Sequence, residues 1–233
     1  EKNDTLGGRA RIKKINGFTF DMGPSWYWMP DVFDRFFADF GKKVSNYYDL
    51  IRLNPSYRVF WEDSEDDIPA NMDELEAYFE NYEKGSGEKL KQFLAEAKQK
   101  YDIGMGEFVT KPSLSFTEFL SIDIAKKGLS LNLFQPISKH IRQFFSQPKL
   151  IELLEFPALF LGAKPENTPS LYSLMNYADM ALGTWYPMGG MNKIVEGMVA
   201  VAEEMGVRFY TNSGVDEIVI EKKQTIGIKV NGE

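Results

Sequence analysis

The residue pattern predicts a mixed α/β protein in which two sheet-forming ends enclose a helical block. Three features point there. Short strand-like segments rich in turn residues open the chain, as in "FTFDMGPS". From Asn71 onward the apolar residues recur at helical spacing. The last stretch returns to strands in "VDEIVIEK" and "TIGIKVNG". Strands, then helices, then a helix and strands suit an α/β or α+β protein with a helical insertion. The chain has 233 residues, 43% hydrophobic and 14% aromatic, so it can bury a sizeable core as one large domain or two small ones.

Each element has a local reason. "FTFDMGPS" reads as a strand running into a Gly-Pro turn. "DVFDRFFADFG" places Val32, Phe33, Phe36, Phe37 and Phe40 on one helical stripe, closed by Gly41. "YYDLIRL" and "YRVFWED" read as strands divided by Asn54-Pro55. Residues 71–108 read as two helices broken at "GSG". "SKHIRQFF", "PKLIELLEFPALFLG" and "SLYSLMNYADMAL" read as three more, with Pro148 suited to a helix start and Thr168 placed to cap a helix beginning at Pro169. "GTWYPMGG" reads as a short strand and a turn, and "MNKIVEGMVAVAEEMG" as a helix ended by Gly206. "VRFYT" and the two final segments read as strands, the last pair a hairpin around "KKQ".

Composition excludes several chemistries. There is no cysteine, which removes disulfides, thiolate nucleophiles and cysteine metal sites, and permits a reducing cytosol. His140 is the only histidine, so a histidine-rich metal site is excluded; it reads as a structural residue on a helix face. No G-x-S-x-G elbow occurs. A net charge of -7 with no basic stripe speaks against nucleic acid as a partner. No signal peptide and no membrane-spanning run is visible; "LIELLEFPALFLGA" is interrupted by Glu152, Glu155 and Pro157.

The opening residues raise a question that the downstream blocks answer, "YPMGGM" before a helix being the most discriminating. A dinucleotide-binding βαβ unit ends its second strand on an acid that accepts hydrogen bonds from ribose hydroxyls. Read alone, Glu1 is a terminal residue, and no G-x-G-x-x-G occurs in the chain. It is followed by "LGGRA", two glycines that let backbone approach a ligand and an arginine that can face phosphate. The segments "EKNDTLGGRA", "GFTFDMGPS", "LSFTEFL" and "NTPSLYSLMNYADMALGTWYPMGGMNKIVEGM" together resemble the bacterial-type phytoene desaturases. These are FAD-dependent carotenoid desaturases of the amine-oxidase-like, glutathione-reductase-like flavoproteins, and the resemblance runs over essentially the whole chain.

The resemblance implies an incomplete FAD-binding Rossmann-like domain with an inserted, largely helical substrate domain. Residues 1–70 are expected to form part of the FAD domain and the start of the substrate domain. Residues 71–182 are expected to form the helical substrate and membrane-contact domain, and 183–233 the return to the FAD domain. It further implies an internal fragment of a larger enzyme, lacking the first strand, glycine loop and helix as well as a long C-terminal part. Glu1 would bind the ribose; Gly7, Gly8 and Arg9 would lie along the pyrophosphate and flavin; Gly23 and Pro24 would touch the isoalloxazine; Val215 would meet the adenine; Gly189, Gly190 and Met191 would approach the flavin face. Trp185, Tyr186, Leu159 and Phe160 would line a tunnel for a long isoprenoid hydrocarbon, and Glu118 would handle the proton. Thr117 stands where some relatives carry arginine, which puts an Arg-carboxylate pair at that place in doubt. The implied setting is cytoplasmic and peripheral to the membrane, with no metal. A flavin amine oxidase of the same fold, and a flavin-free binding or escort domain, are the alternatives the residues leave open.

Overall fold

The computed structural model describes residues 1–109, 114 and 135–232. In chain order its elements are β1 (Ile12–Ile15), β2 (Phe18–Asp21), α1 (Pro30–Asp39), β3 (Leu50–Arg52), β4 (Tyr57–Phe60), β5 (Glu65–Ile68), α2 (Met72–Tyr82) and α3 (Ser86–Ile103). Then come α4 (Ile137–Ile141), α5 (Pro148–Glu155), β6 (Trp185–Pro187), α6 (Asn192–Glu204), β7 (Val215–Glu221) and β8 (Gln224–Val230). The fold is mixed α/β. Among the described residues the strands form four two-stranded sheets: β1–β2, β3–β6, β4–β5 and β7–β8. The two ends are thus hairpins and short pairings where the sequence points to pieces of one sheet. The chain divides into two compact units, one of Glu1–Ile51 with Trp185–Glu233 and the other of Arg52–Thr184.

The first unit is built around aromatic residues. Tyr27, Phe37, Val44, Tyr48, Met191 and Val201 form its core, with Phe33, Phe36, Trp185 and Ile194 packed against it. The α1 stripe supplies Phe37, which is fully buried, whereas Phe40 at the last turn stays 40% exposed. The buried tyrosine hydroxyls of Tyr27 and Tyr48 satisfy each other at 2.9 Å. Two hairpins flank this core. β1–β2 turns on Asn16-Gly17 and β7–β8 on Lys222-Lys223, all four with positive φ as a two-residue type I′ turn requires. The β1 segment "RIKKI" is not evident from the sequence, because its lysines break the apolar alternation. "VRFYT" is not a strand. After Gly206 (φ 85) closes α6, residues 207–211 run on without a ladder.

The second unit packs α2 and α3 on each other and on α4 and α5. Leu75, Phe79, Leu90, Phe93, Ile137, Ile141, Leu150 and Leu154 are its buried centre. Asn71 caps α2, accepting from the N–H groups of Asp73 (2.8 Å) and Glu74 (3.3 Å). Gln147 caps α5 ahead of Pro148. Thr168 does not cap: its hydroxyl donates to the Lys164 carbonyl at 3.0 Å, and residues 170–181 pass from 3-10 through α to π geometry. β5, "EDDI", is hidden in the sequence by its acids. It forms because Arg58 on β4 reaches Asp67 through two bonds (2.7 and 2.8 Å) and Glu65 through a third (2.9 Å), while Ile68 enters the core at 2% exposure. No helix among the described residues is long and apolar enough to cross a membrane.

Candidate functional site

In the first unit, residues 1–3 lie alongside 212–213. The Ser213 N–H donates to the Glu1 carbonyl (2.8 Å) and the Asn212 N–H to the Asn3 carbonyl (2.9 Å). This brings Glu1 close to the start of β7 at Val215, which is 55% exposed. The Asn3 backbone N–H donates to Glu1 Oε1 at 2.8 Å and its side-chain amide to the same oxygen at 2.6 Å. The backbone N–H of Asn3 is the main cause that holds this carboxyl below its ordinary value, so Glu1 is ionised and oriented as an acceptor.

A cleft of about 500 Å³ opens here, lined by Glu1, Lys2, Asn3, Gly8, Arg9, Arg11, Met22 and Gly23. Four residues singled out in the sequence, Glu1, Gly8, Arg9 and Gly23, therefore meet in one place. Lys2, Asn3, Arg11 and Met22 are additions that sequence reasoning misses. The signal for Arg11 is its spacing: it stands two residues beyond Arg9 on the same short turn and strand start. Gly8 has φ 54, and a Cβ there would point into open space, the kind of room a close-lying ligand needs. Gly7 (φ 108) packs instead on α6, where a Cβ would lie 3.1 Å from a Val195 methyl. Pro24 is exposed beside the cleft.

Three segments are pinned together behind this cleft. The Asp21 carboxylate, at the end of β2, accepts the backbone N–H of Met191 on Oδ2 (2.9 Å) and that of Asn192 on Oδ1 (3.1 Å). Asn192 Nδ2 in turn donates to the Ala10 carbonyl at 3.0 Å. Gly190 (φ 108) has to be glycine, since a Cβ would stand 2.9 Å from Asp21 Oδ2; at Gly23 it would stand 2.1 Å from the Arg9 carbonyl oxygen. Gly189 and Gly190 thus form the turn into α6. Met191 offers only main chain, its side chain being buried in the core at 3% exposure. Trp185 is half-buried on the same core and Tyr186 beside it is half-buried as well.

The second unit holds the other expected residues. Leu159 and Phe160 are 65% and 49% exposed, and Leu161 next to them 41%. Glu118 lies outside the described residues. His140 is a structural residue on α4, and a buried one: at 2% exposure it accepts from Lys100 Nζ (3.0 Å) on Nε2, and its Nδ1 lies 3.1 Å from the Gln135 amide. Lys100, wholly buried, also donates to Ser173 Oγ at 3.2 Å. Burial, with the neighbouring Lys100 charge, pushes His140 down to about 4, and burial pushes Lys100 down to about 8.

Comparison with known proteins gives the family. The model of the flavin containing amine oxidoreductase family matches residues 1–233, and the chain belongs to that family. It is 40% identical over 235 residues to the carotenoid 3,4-desaturase of Haloarcula japonica, matching all of this chain and 48% of that protein. It is 31% identical over 236 residues to the 4,4'-diapophytoene desaturase (4,4'-diaponeurosporene-forming) of Staphylococcus haemolyticus, and equally to that of Staphylococcus aureus, in each case over 47% of the relative. The chain spans about half the length of the curated relatives it matches. A Pyrococcus furiosus protein of solved crystal structure shares the fold with a TM-score of 0.55 at 16% identity, over 99% of this chain and 48% of that one.

Proposed function

We propose that this chain supplies the ribose- and phosphate-facing wall of an FAD site, together with much of the hydrocarbon-binding part, of a carotenoid desaturase. The observation that carries the reading is the cleft where Glu1, Gly8, Arg9 and Gly23 meet. Its donor set suits FAD: an ionised carboxylate for ribose hydroxyls, two guanidiniums for a diphosphate, and glycine backbone with open room for close approach. The names of the relatives favour an isoprenoid hydrocarbon over an amine.

In this reading the first unit is part of a Rossmann-like FAD domain and the second an inserted substrate domain. Bound FAD supplies the two-electron acceptor for a hydride when a saturated C–C unit becomes C=C, while a proton leaves the adjacent carbon. The protein's own part is to bind, orient and shield. Glu1 fixes the ribose, and Arg9 neutralises phosphate. The Gly189-Gly190 turn lets main chain approach the flavin ring, with Pro24 and Gly23 on the β2 side and Val215 near the adenine. Trp185 and Tyr186 give an apolar wall that keeps water from the reacting carbons. Glu118 takes the released proton. Leu159, Phe160 and Leu161 give the second unit an exposed apolar tip suited to contact with a membrane surface on the cytoplasmic side, where such a substrate resides.

The test is to express the full-length protein with a phytoene-type carotene and extract the pigments. Longer conjugation, with a flavin absorbance band on the purified protein, is the expected result. Flavin without pigment change would turn the reading towards an amine substrate, and no flavin at all towards a binding domain.

A further inference from the structure

Two walls of the cleft run back to the first turn of α6. Arg9 and Arg11 flank Ala10, whose carbonyl is held by Asn192 Nδ2 at 3.0 Å. Met22 and Gly23 follow Asp21, whose carboxylate holds the N–H groups of Met191 and Asn192 at 2.9 and 3.1 Å. The two walls are also tied directly, the Met22 N–H donating to the Arg11 carbonyl at 3.0 Å. Gly23 sits so close to the Arg9 carbonyl that no side chain fits between them. Asp21 is exposed, next in the chain to the cleft-lining Met22, and neither its charge nor its place is explained by burial of apolar surface.

We infer that Asp21 is a positioning residue for the cofactor: it latches the β2 end to the start of α6, and with Asn192 it sets the spacing between the arginine wall and the Met22-Gly23 wall. This rests on the flavin reading above. The chemistry fits the role. A carboxylate accepting two backbone N–H groups at a helix start is held by charge-assisted bonds and by the positive end of the helix. It also closes that helix end to a phosphate, so the diphosphate has to be met by Arg9 and Arg11. Gly190 is the complementary half of the latch, since a side chain there would push the carboxylate off its donors.

The experiment uses the flavin holoenzyme and two variants, Asp21→Asn and Asn192→Ala. Asp21→Asn is isosteric but loses the charge and presents an amide N–H₂ to one of the two donors. Amide hydrogen exchange reads the latch, and titration of apoprotein with FAD reads the cleft. The expected result is faster exchange confined to Met191, Asn192 and the residues around them, with FAD affinity lowered on the order of ten-fold or more. Flavin visible circular dichroism should change as well, because the ring would sit in a wider seat. Asn192→Ala should reproduce the loss of affinity in milder form with Asp21 intact. Faster exchange with unchanged FAD affinity in both variants would make Asp21 a helix cap and nothing more, overturning the inference. Unchanged exchange would overturn the latch itself. If Asp21→Asn does not fold, Asp21→Glu, which keeps the charge but not the reach to the two N–H groups, is read in its place against the same outcomes. A parent protein that binds no FAD would overturn the flavin reading instead, and would be recognised before any variant is compared.

Discussion

Glu1 and His140 show opposite kinds of legibility at the scale of single residues. Glu1 is readable only in company: an acid, two glycines and an arginine are a weak pattern alone and take on meaning with "FTFDMGPS" and "WYPMGGM" downstream. In the fold its carboxylate lines the cleft with Gly8, Arg9 and Gly23. Glu1→Ala in the full-length protein is therefore expected to weaken FAD binding by about ten-fold or more while lowering the melting temperature little, because within the fold the carboxylate bonds locally, to Asn3 two residues away. Fluorescence titration against thermal denaturation checks both halves; equal affinity would remove Glu1 from the site. His140 looks inert in the sequence because a lone histidine on an apolar helix gives no pattern. Its partner Lys100, which also reaches Ser173, is far away along the chain, and such long-range pairings leave no local trace.

That cluster predicts a pH dependence whose sign is fixed by the direction of the shift. His140 is held at about 4, below its ordinary 6.5. Between those values the unfolded chain binds the proton more readily than the folded one, so stability is full above pH 6.5 and is lost as pH falls from 6.5 towards 4. His140→Gln keeps an acceptor for Lys100 but does not titrate. Urea midpoints should accordingly fall less for the variant than for the parent between pH 6.5 and 4. The acidic residues common to both chains cancel in that comparison. Parallel curves would show that His140 does not report on folding.

At the scale of elements, what is legible follows apolar periodicity and turn chemistry. α1, α2, α3 and α6 stand where the spacing puts them, because each has a stripe to bury and a glycine, asparagine or proline to mark an end. β5 is not legible, since its acids hide a strand that meets the Arg58 fork through Asp67 and Glu65 and sends only Ile68 into the core. "VRFYT" misleads for the converse reason: it has strand-like residues, but the main-chain bonds to residues 1–3 come from the Tyr210 carbonyl and the Asn212 and Ser213 N–H groups and form no strand ladder. The β7–β8 turn exposes a cost that can be measured. Lys222 and Lys223 hold φ of 45 and 67, a conformation that disfavours side chains with a Cβ. Replacing them with Asn-Gly should stabilise the hairpin by about 1 kcal/mol, the relief at the left-handed positions outweighing the greater freedom of glycine in the unfolded chain. Slower amide exchange within Val215–Glu221 and Gln224–Val230 would show it. Faster exchange would mean that the lysines serve the turn in some other way.

On the scale of the whole molecule, the sequence shows a helical block between two sheet-forming ends, and the folded chain divides at 51/52 and 184/185. The hairpin β4–β5 goes with the helices because Ile68 is buried in their core with Tyr57 and Val59 against it, a grouping that no local pattern announces. What the sequence does not show is which apolar residues face inward. "LLEFPALFLG" reads as one apolar run, yet it divides: Leu153, Leu154 and Ala158 are buried, while Leu159, Phe160 and Leu161 stand out at 65%, 49% and 41% exposure. A lysine at Leu159 thus buries no charge and should leave folding and FAD binding intact. The exposed tip then gives a clean test of how the substrate arrives. If Leu159, Phe160 and Leu161 dip into the bilayer to receive a long hydrocarbon, Leu159→Lys combined with Phe160→Lys should lower binding to uncharged phosphatidylcholine vesicles and slow desaturation of carotene held in those vesicles. Desaturation of carotene dispersed in detergent micelles, where no bilayer has to be entered, should stay at the parental rate. Loss of both rates in a folded, flavin-loaded variant would instead place these residues along the hydrocarbon's path inside the enzyme. Retention of both would leave the tip as ordinary exposed apolar surface.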